Sequence, residues 1–203
     1  MSEPVSVFLS TVTGEFGTYR KRLASELRKK GVVVKVQEDF RAEGGTLFEK
    51  LEAYLQQCHA VICLVGDRYG FEPPDAIREQ LGGARHSYTQ WEYLLARKHA
   101  KKTFVFTPAG PETPRDTPND EPAEQQNLQA AFFQTEIEDQ GAEWTPFTHE
   151  EDLVIKVLHQ NWGSGPELGK FNPDCPYVGL RRFEKEDSAY FYGRTALIEH
   201  LLG

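Results

Sequence analysis

The chain has 203 residues, of which 39% are hydrophobic and 27% are charged, a composition typical of a soluble globular protein with one full core. Its net charge of −8 disfavours a nucleic-acid-binding surface, which needs a basic patch. No apolar run approaches the roughly 20 residues of a membrane-spanning helix, and the N-terminus has no signal-peptide pattern. We therefore expect a cytoplasmic protein that binds neither nucleic acid nor membrane.

Short apolar runs rich in β-branched residues recur between helical patterns through the first half of the chain. They predict strands at Val5–Leu9, Val32–Val36, Ala60–Val65 and Thr103–Phe106. The third run is nearly all apolar, which is typical of a strand covered on both faces. Strands that alternate with helices predict a mostly parallel sheet joined by right-handed crossovers.

The helices between these strands are indicated by apolar residues at helical spacing and by capping residues. Thr46 and Glu49 form a capping box that opens the second helix. The other two predicted helices are one that carries Tyr19, Leu23 and Leu27 and ends at Gly31, and one over Thr89–Lys98.

The second half of the chain continues the alternation. A helix is predicted over Asn127–Asp139. Glu143–Phe147 is predicted to be a short edge strand, because Pro146 cannot donate to a central ladder. A capping box of Thr148 and Glu151 predicts a last helix.

Three segments lack the pattern of a packed core. Thr107–Pro122 is rich in Pro, Asp, Glu and Thr and is predicted to be a surface loop with no means of burying itself. Residues 163–176 are a Gly- and Pro-containing linker, and residues 177–203 are too few to form a core alone. The sequence thus predicts one domain over residues 1–162, a linker, and the truncated start of a second region.

Together these elements predict a flavodoxin-like, three-layer α/β domain with a central, mostly parallel sheet of about five strands. Ligands of such sheets bind beyond the carboxyl ends of the strands. The loops at that end are predicted to be Ser10–Gly17, Gln37–Gly45 and Gly66–His86.

Several stretches of the first half resemble, in their order along the chain, a TIR-like (Toll/interleukin receptor-like) domain. They are Ser6–Thr11 with Gly14–Phe16, then Glu38–Phe40, Ala60–Gly66 and Ser87–Glu92. Domains of that family often stand at the N-terminus of prokaryotic signalling ATPases. The resemblance implies self-association through the domain.

The last residues resemble the segment that precedes the P-loop of STAND-type ATPases. The similar stretches are Pro176–Phe183, Tyr190–Arg194 and Ile198–Leu201. In that family the Gly-Arg pair precedes a GxxxxGK[ST] loop, and this sequence contains no such loop. The resemblance implies a prokaryotic signalling or antiphage-defence protein, with the ATPase as an intramolecular partner that is missing from this chain.

Enzymatic TIR domains cleave the bond between nicotinamide and ribose in NAD, and the resemblance carries that activity here with Glu92 as the catalytic carboxylate. Such cleavage passes through an oxocarbenium-like state, which one carboxylate can stabilise. NAD would be the substrate, without a metal or further cofactor. The products would be nicotinamide and ADP-ribose or a cyclic product. Thr89 and Glu92 also fit a capping box, so a purely structural role for Glu92 stays open.

The remaining candidate ligand residues follow the strands. Hydroxyls and N–H groups of the first loop, with an adjacent aromatic ring, suit ribose or phosphate, although a turn with a helix cap explains most of that loop. In the second loop an aromatic ring suits a base and a guanidinium suits a pyrophosphate. The predicted ligand-binding residues are Ser10, Thr11, Phe16, Phe40, Arg41, Asp67, Arg68 and Tyr88.

The cysteines and histidines suggest no other chemistry. Cys58, Cys63 and Cys175 form no CxxC pair and no metal-ligand spacing. The first two fall within apolar patterns and are predicted to be reduced core residues. No HExxH motif occurs, so no metal site is predicted.

Two alternatives to an NAD hydrolase remain open. One is a non-catalytic TIR-like module that recruits partners, with Glu92 held in a helix cap. The other is a nucleotide-processing enzyme similar to nucleoside deoxyribosyltransferases, which would need a second acidic group near the strand ends, such as Glu38 or Asp39.

Overall fold

The computed structural model describes residues 4–37 and 47–161. Within them, strands and helices alternate along the chain. The strands are β1 Ser6–Thr11, β2 Val33–Lys35, β3 Ala60–Leu64, β4 Lys102–Pro108 and β5 Trp144–Phe147. The helices are α1 Thr13–Lys29, α2 Leu47–Gln56, α3 Asp75–Gln80, α4 Tyr88–Lys98, α5 Ala123–Phe132 and α6 Glu150–Leu158, and α5 continues as a π-helical segment, Phe133–Glu138.

The five strands form one sheet in the order β2-β1-β3-β4-β5, and every neighbouring pair is parallel. This order confirms the predicted flavodoxin-like fold. The chain builds outward from β1 to β2, then returns to place β3 on the other side of β1. The carboxyl ends of β1 and β3 therefore flank the switch point, where open α/β sheets bind their ligands.

Apolar side chains cover both faces of the sheet. Leu23 of α1 and Leu153 of α6 lie in the core on one face, and Leu51 of α2 and Phe132 of α5 lie in the core on the other. All five residues of β3 are buried because helices cover it on both sides. Cys58 and Cys63 are buried in the second core with free thiols, as predicted.

Two details of the second half test the predicted elements. β5 is an edge strand in which Pro146 lies opposite Thr107, which confirms the edge position. The cap of α6 was predicted at Thr148 and is wrong by one residue. His149 has the extended conformation of an N-cap, and its Nδ1 accepts a hydrogen bond from Asp152 N at 3.0 Å.

Other predicted features differ in extent or lie elsewhere. The helix predicted from Asn127 begins four residues earlier, after Pro122, and a short helix, α3, interrupts the loop predicted over Gly66–His86. Thr46, the linker over 163–176 and the region over 177–203 lie outside the described residues. In the part that the structure describes, no helix combines the length and apolarity needed to cross a membrane.

Candidate functional site

The candidate site lies where β1 and β3 end. Ser10 and Thr11 are the last residues of β1 and are only 3% and 6% exposed. The connection after β3 begins with Val65 and Gly66 and runs beside them. Parallel pairing sets Ser10 opposite Cys63 and Thr11 opposite Leu64, so the two connections leave the sheet side by side.

Glu92 reaches this point from α4. Its carboxylate is buried, and the Ser10 hydroxyl donates a hydrogen bond to its Oε2. The charge of Glu92 also helps to raise the pKa of the neighbouring Cys63 thiol, although burial of that thiol is the larger cause. A carboxylate therefore lies directly beneath the switch point of the sheet.

The alternative role predicted for Glu92, a capping box with Thr89, is wrong. The N-cap of α4 is Ser87, whose Oγ accepts from Gln90 N at 3.4 Å while Gln90 Oε1 accepts from Ser87 N at 3.2 Å. Because α4 begins at Tyr88, Glu92 falls beyond the capping position and its side chain turns inward to Ser10.

The loop after β3 presents four successive backbone N–H groups, and each of two carboxylates accepts hydrogen bonds from two of them. Glu15 of α1 accepts from Asp67 N at 2.9 Å and Arg68 N at 3.1 Å. Glu121 accepts from Tyr69 N at 2.6 Å and Gly70 N at 2.9 Å. Such runs of N–H groups form concave sites for anions.

Glu15 is held in the interior. It is 2% exposed, and burial raises its pKa, while the two N–H bonds and the Arg115 guanidinium, 3.5 Å away, act in the opposite direction. A Cβ atom at Gly66 would collide with the carboxylate of Glu15. Glycine is thus required at position 66 so that the carboxylate can approach the backbone.

Residues 109–122, which we call the strap, connect β4 to α5 and cross the ends of β1 and β3. Most residues of the strap are exposed, as predicted for a surface loop, although Thr113 is buried and hydrogen bonds hold the strap against the domain. Thr117 donates to Gly14 O at 2.7 Å, and Tyr19 donates to Pro114 O at 2.9 Å. Hydrogen bonds hold the strap in place, because its composition offers few apolar side chains for packing.

Two neighbouring spaces open at the site. A cavity of about 700 Å³, called the outer cavity, is lined by Thr11, Gly14, Arg68, Gly70, Tyr88 and Glu121 among others. A narrow one of about 20 Å³, lined by Ser10 and Cys63, shares Val12, Arg68 and Thr89 with the outer cavity. The narrow cavity therefore adjoins the outer cavity, and Ser10, which donates to Glu92, lines the narrow one.

Polar atoms facing these spaces are incompletely bonded. Thr11 Oγ1 and Arg68 Nε are buried and have no hydrogen-bond partner among the described residues. Burial raises the pKa of Tyr88, whose ring lines the outer cavity. Buried polar atoms without partners are uncommon in proteins. The described residues have four, and the other two, Tyr69 Oη and Trp91 Nε1, belong to residues that do not line the outer cavity. The pair at the outer cavity favours a ligand there.

A separate cavity of about 790 Å³, called the β4-side cavity, lies beyond β3 and β4. Gly66, Asp67, Thr107, Phe133 and Trp144 line it with several amide side chains. The carboxylate of Asp67 is 71% exposed and pairs with Arg115 at 3.0 Å. Neither Ser10 nor Glu92 is among the residues that line the two large cavities. The narrow cavity beside Ser10 shares Val65, Gly66 and Gln129 with the β4-side cavity.

The predicted site residues therefore divide into groups. Thr11, Arg68 and Tyr88 share the outer cavity, and Ser10 and Glu92 lie bonded behind it. Asp67 lines the β4-side cavity. Phe16 is fully buried and packs edge-on against Tyr19 and Phe147 in the core. Phe40 and Arg41, with Glu38 and Asp39, lie outside the described residues.

Sequence reasoning missed Glu15 and Glu121. Glu15 lies four residues after β1, in a segment already predicted to bind ligand. Gly66, two residues after β3, is a second signal that a side chain approaches the backbone closely. Glu121 has no comparable signal, since its partners are about 50 residues away in sequence. In the described ranges, no group of three or more His, Cys, Asp or Glu residues is placed to hold a metal ion.

Comparison with known proteins gives a family and several weak structural similarities. A family model described as a domain of unknown function (DUF4062) matches residues 6–161. No curated protein matches the chain.

Solved structures are similar at low identity. A 2-desoxiribosyltransferase from Leishmania mexicana is 17% identical, with 78% of this chain and all of that chain covered and a TM-score of 0.43. The TIR domains of the activated Roq1 resistosome are 12% identical, with 67% and 74% covered and a TM-score of 0.41. CapF with the inhibitor 3-isopropenyl-tropolone is 11% identical, with 75% and 45% covered and a TM-score of 0.33. Scores this low carry no argument about activity.

Proposed function

Because the chain belongs to the DUF4062 family, whose function is unknown, we propose its activity from the site alone. The proposal is that the domain cleaves the N-glycosidic bond of NAD, with Glu92 as the essential carboxylate. The observation that carries the proposal is the burial of Glu92 beneath the ends of β1 and β3, in contact with Ser10. A buried carboxylate at a switch point lies where a ligand of this fold binds.

The reaction needs little from the protein beyond this group. The bond between ribose C1′ and the nicotinamide nitrogen breaks, and nicotinamide leaves as a neutral molecule with the bonding electron pair. The Glu92 carboxylate stabilises the positive charge that develops on the ribose. Water then adds to C1′ and loses a proton, which gives ADP-ribose.

Ser10 would orient the Glu92 carboxylate. Its hydroxyl donates to one carboxylate oxygen, and a ribose hydroxyl of the substrate would donate to the same carboxylate. The narrow cavity beside Ser10 has room for about one water molecule, so the ribose enters only when this space widens. Thr11 and Arg68 offer unpartnered donors to the rest of the substrate, and Tyr88 offers an aromatic face.

The biological setting proposed for this chemistry follows the resemblance to TIR-like domains. We expect a prokaryotic signalling or defence protein in which self-association of this domain switches the activity on, with a STAND-type ATPase as the neighbouring region. The burial of Glu92 fits such control, because a site that is 2% exposed has to open before it reacts.

The test is nicotinamide release from NAD by the concentrated 203-residue chain, with and without a crowding agent. We expect Glu92→Gln to lower the rate at least ~100-fold while its circular dichroism stays unchanged. Glu138→Gln is the matched control, since Glu138 lines the β4-side cavity, and it should retain the parent rate.

Other outcomes distinguish the alternatives. No release by any variant, even under crowding, would contradict the hydrolase and favour a recruitment module. Transfer of a deoxyribosyl group between bases, measured with a 2′-deoxynucleoside and a free base, would favour the deoxyribosyltransferase-like enzyme. Equal rates for the parent and Glu92→Gln would exclude Glu92 as the catalytic group.

A further inference from the structure

The contact between Glu121 and the loop after β3 has the form of a ligand contact. Both carboxylate oxygens are bound, one by Tyr69 N at 2.6 Å and the other by Gly70 N at 2.9 Å. Two adjacent N–H groups that hold two oxygens of one anion would hold two oxygens of a phosphate equally well. Glu121 also lines the outer cavity, so its place opens directly onto that space.

The adjacent Arg68 side chain is engaged by the same strap. Its Nη2 donates to Pro118 O and to Asp120 Oδ1, the latter at 2.6 Å, while its Nε has no partner within the described residues. Asp120 is 85% exposed in its side chain, so this ion pair is readily exchanged with solvent or a ligand. The guanidinium thus has unused and exchangeable donors beside the two N–H groups.

A further donor faces the same cavity from the sheet. Thr11 is 6% exposed, and its Oγ1 has no hydrogen-bond partner in the described part of the chain. It lines the outer cavity together with Arg68, Gly70 and Glu121. An unpartnered buried hydroxyl is costly unless something binds it, and this independent observation favours a polar ligand beside Thr11.

The two carboxylates on the loop differ in how easily they can leave. Glu15 is 2% exposed and packed against Gly66, so it is a fixed part of the structure. Glu121 is half-buried at the end of the strap, and its carboxylate faces the cavity. Only Glu121 is therefore in a position to exchange with an incoming anion.

We propose that the N–H groups of Tyr69 and Gly70, with the Arg68 guanidinium, form a phosphate-binding site that Glu121 of the strap fills until a phosphate-bearing ligand displaces it. The inference deepens the proposed function, because it assigns the part of the outer cavity that recognises the phosphates of the substrate. Glu121 then acts as an internal competitor, and the affinity for ligand depends on how firmly the strap is held.

The test compares Glu121→Gln with Glu112→Gln by calorimetric titration of the 203-residue chain. Both substitutions remove one negative charge from the strap, but Glu112 is exposed, and among the described residues it is Glu121 that accepts the hydrogen bonds from Tyr69 N and Gly70 N. Each variant is titrated with inorganic pyrophosphate, ADP-ribose and adenosine. We expect Glu121→Gln to bind pyrophosphate and ADP-ribose about tenfold more tightly, Glu112→Gln to match the parent, and adenosine to be unaffected.

A gain for pyrophosphate alone would still support the site, with a free polyphosphate as its ligand. Unchanged affinities in Glu121→Gln, or an equal gain in Glu112→Gln, would overturn the proposal. A second measurement needs no variant, since pyrophosphate added to the parent should shift the amide resonances of Tyr69 and Gly70 in nitrogen-15 correlation spectra. Neither readout involves bond cleavage, so a failure here is distinct from a failure of the hydrolase.

Discussion

The outer cavity and the β4-side cavity lie at the same end of one sheet and have similar volumes, about 700 and about 790 Å³. Their walls differ in kind. The outer cavity has a buried, unpartnered hydroxyl and a guanidinium. The β4-side cavity is lined by amides, by the carboxylates of Asp67 and Glu138, and by the aromatic residues Phe133 and Trp144.

Volume alone therefore does not identify a site. A reactive or binding site is recognised by polar groups that are buried at a cost and lack a partner in the protein. The strand order explains the location, because the β1/β3 junction is the switch point and the β3/β4 junction is not. We expect substitutions at the two cavities to differ in their effects.

The largest expected effect is on catalysis. Ser10→Ala removes the hydroxyl that orients Glu92 and should lower NAD cleavage ~10-fold or more, whereas Asn127→Ala on the β4-side cavity should leave the rate unchanged. Nicotinamide release measured by chromatography checks both. Loss of activity in Asn127→Ala but not in Ser10→Ala would contradict the proposed difference between the two cavities.

A second prediction concerns stability beneath the outer cavity. Gly66→Ala should lower the free energy of unfolding by roughly 2–4 kcal/mol, because the new Cβ would displace the buried Glu15 carboxylate from its N–H donors. Gly110→Ala is the control, since a Cβ there meets nothing within 4 Å. Urea unfolding of both variants measures the difference, and equal stabilities would show that Glu15 can move aside cheaply.

The fold could be predicted because its signals are local. The all-apolar run at Ala60–Leu64 indicates a strand covered on both faces, and Pro146 indicates an edge strand. Both signals depend only on neighbouring residues and on the spacing of apolar residues along the chain. The cap of α4 was harder, since Ser87 with Gln90 and Thr89 with Glu92 fit the same spacing, and only the tertiary contact of Glu92 with Ser10 separates them.

The candidate site could be predicted only in part, because half of it comes from distant segments. Ser10, Thr11 and Arg68 follow strands, so topology alone brings them together. Glu121 binds Gly70 across 51 positions of sequence, through a strap whose composition is that of a solvated loop. An acidic, Pro-rich segment looks the same in sequence whether it is solvated or bound to N–H groups.

A third prediction follows from the buried Glu15 carboxylate. Burial raises its pKa above the ordinary 4.5, so its favourable contribution to folding is fully present below about pH 4.5 and is lost as the pH rises through the folded-state value. The stability of the parent relative to Glu15→Gln should therefore fall as the pH rises above about 4.5. Urea unfolding at several pH values measures this stability difference, and Glu112→Gln is a control that should show no such trend. A difference between the parent and Glu15→Gln that grows with pH would contradict the prediction.

The smallest expected effect separates stability from binding at Thr11. Thr11→Val replaces an unpartnered hydroxyl by a methyl group of similar size, so it should leave stability unchanged or raise it by up to about 1 kcal/mol. The same change should weaken the binding of ADP-ribose several-fold, because the donor facing the outer cavity is gone. Thr11→Ser, which keeps the hydroxyl, should bind as the parent does. If Thr11→Val instead destabilised the protein and left binding intact, the hydroxyl would be serving the fold, and the outer cavity would lose the feature that most distinguishes it from its neighbour.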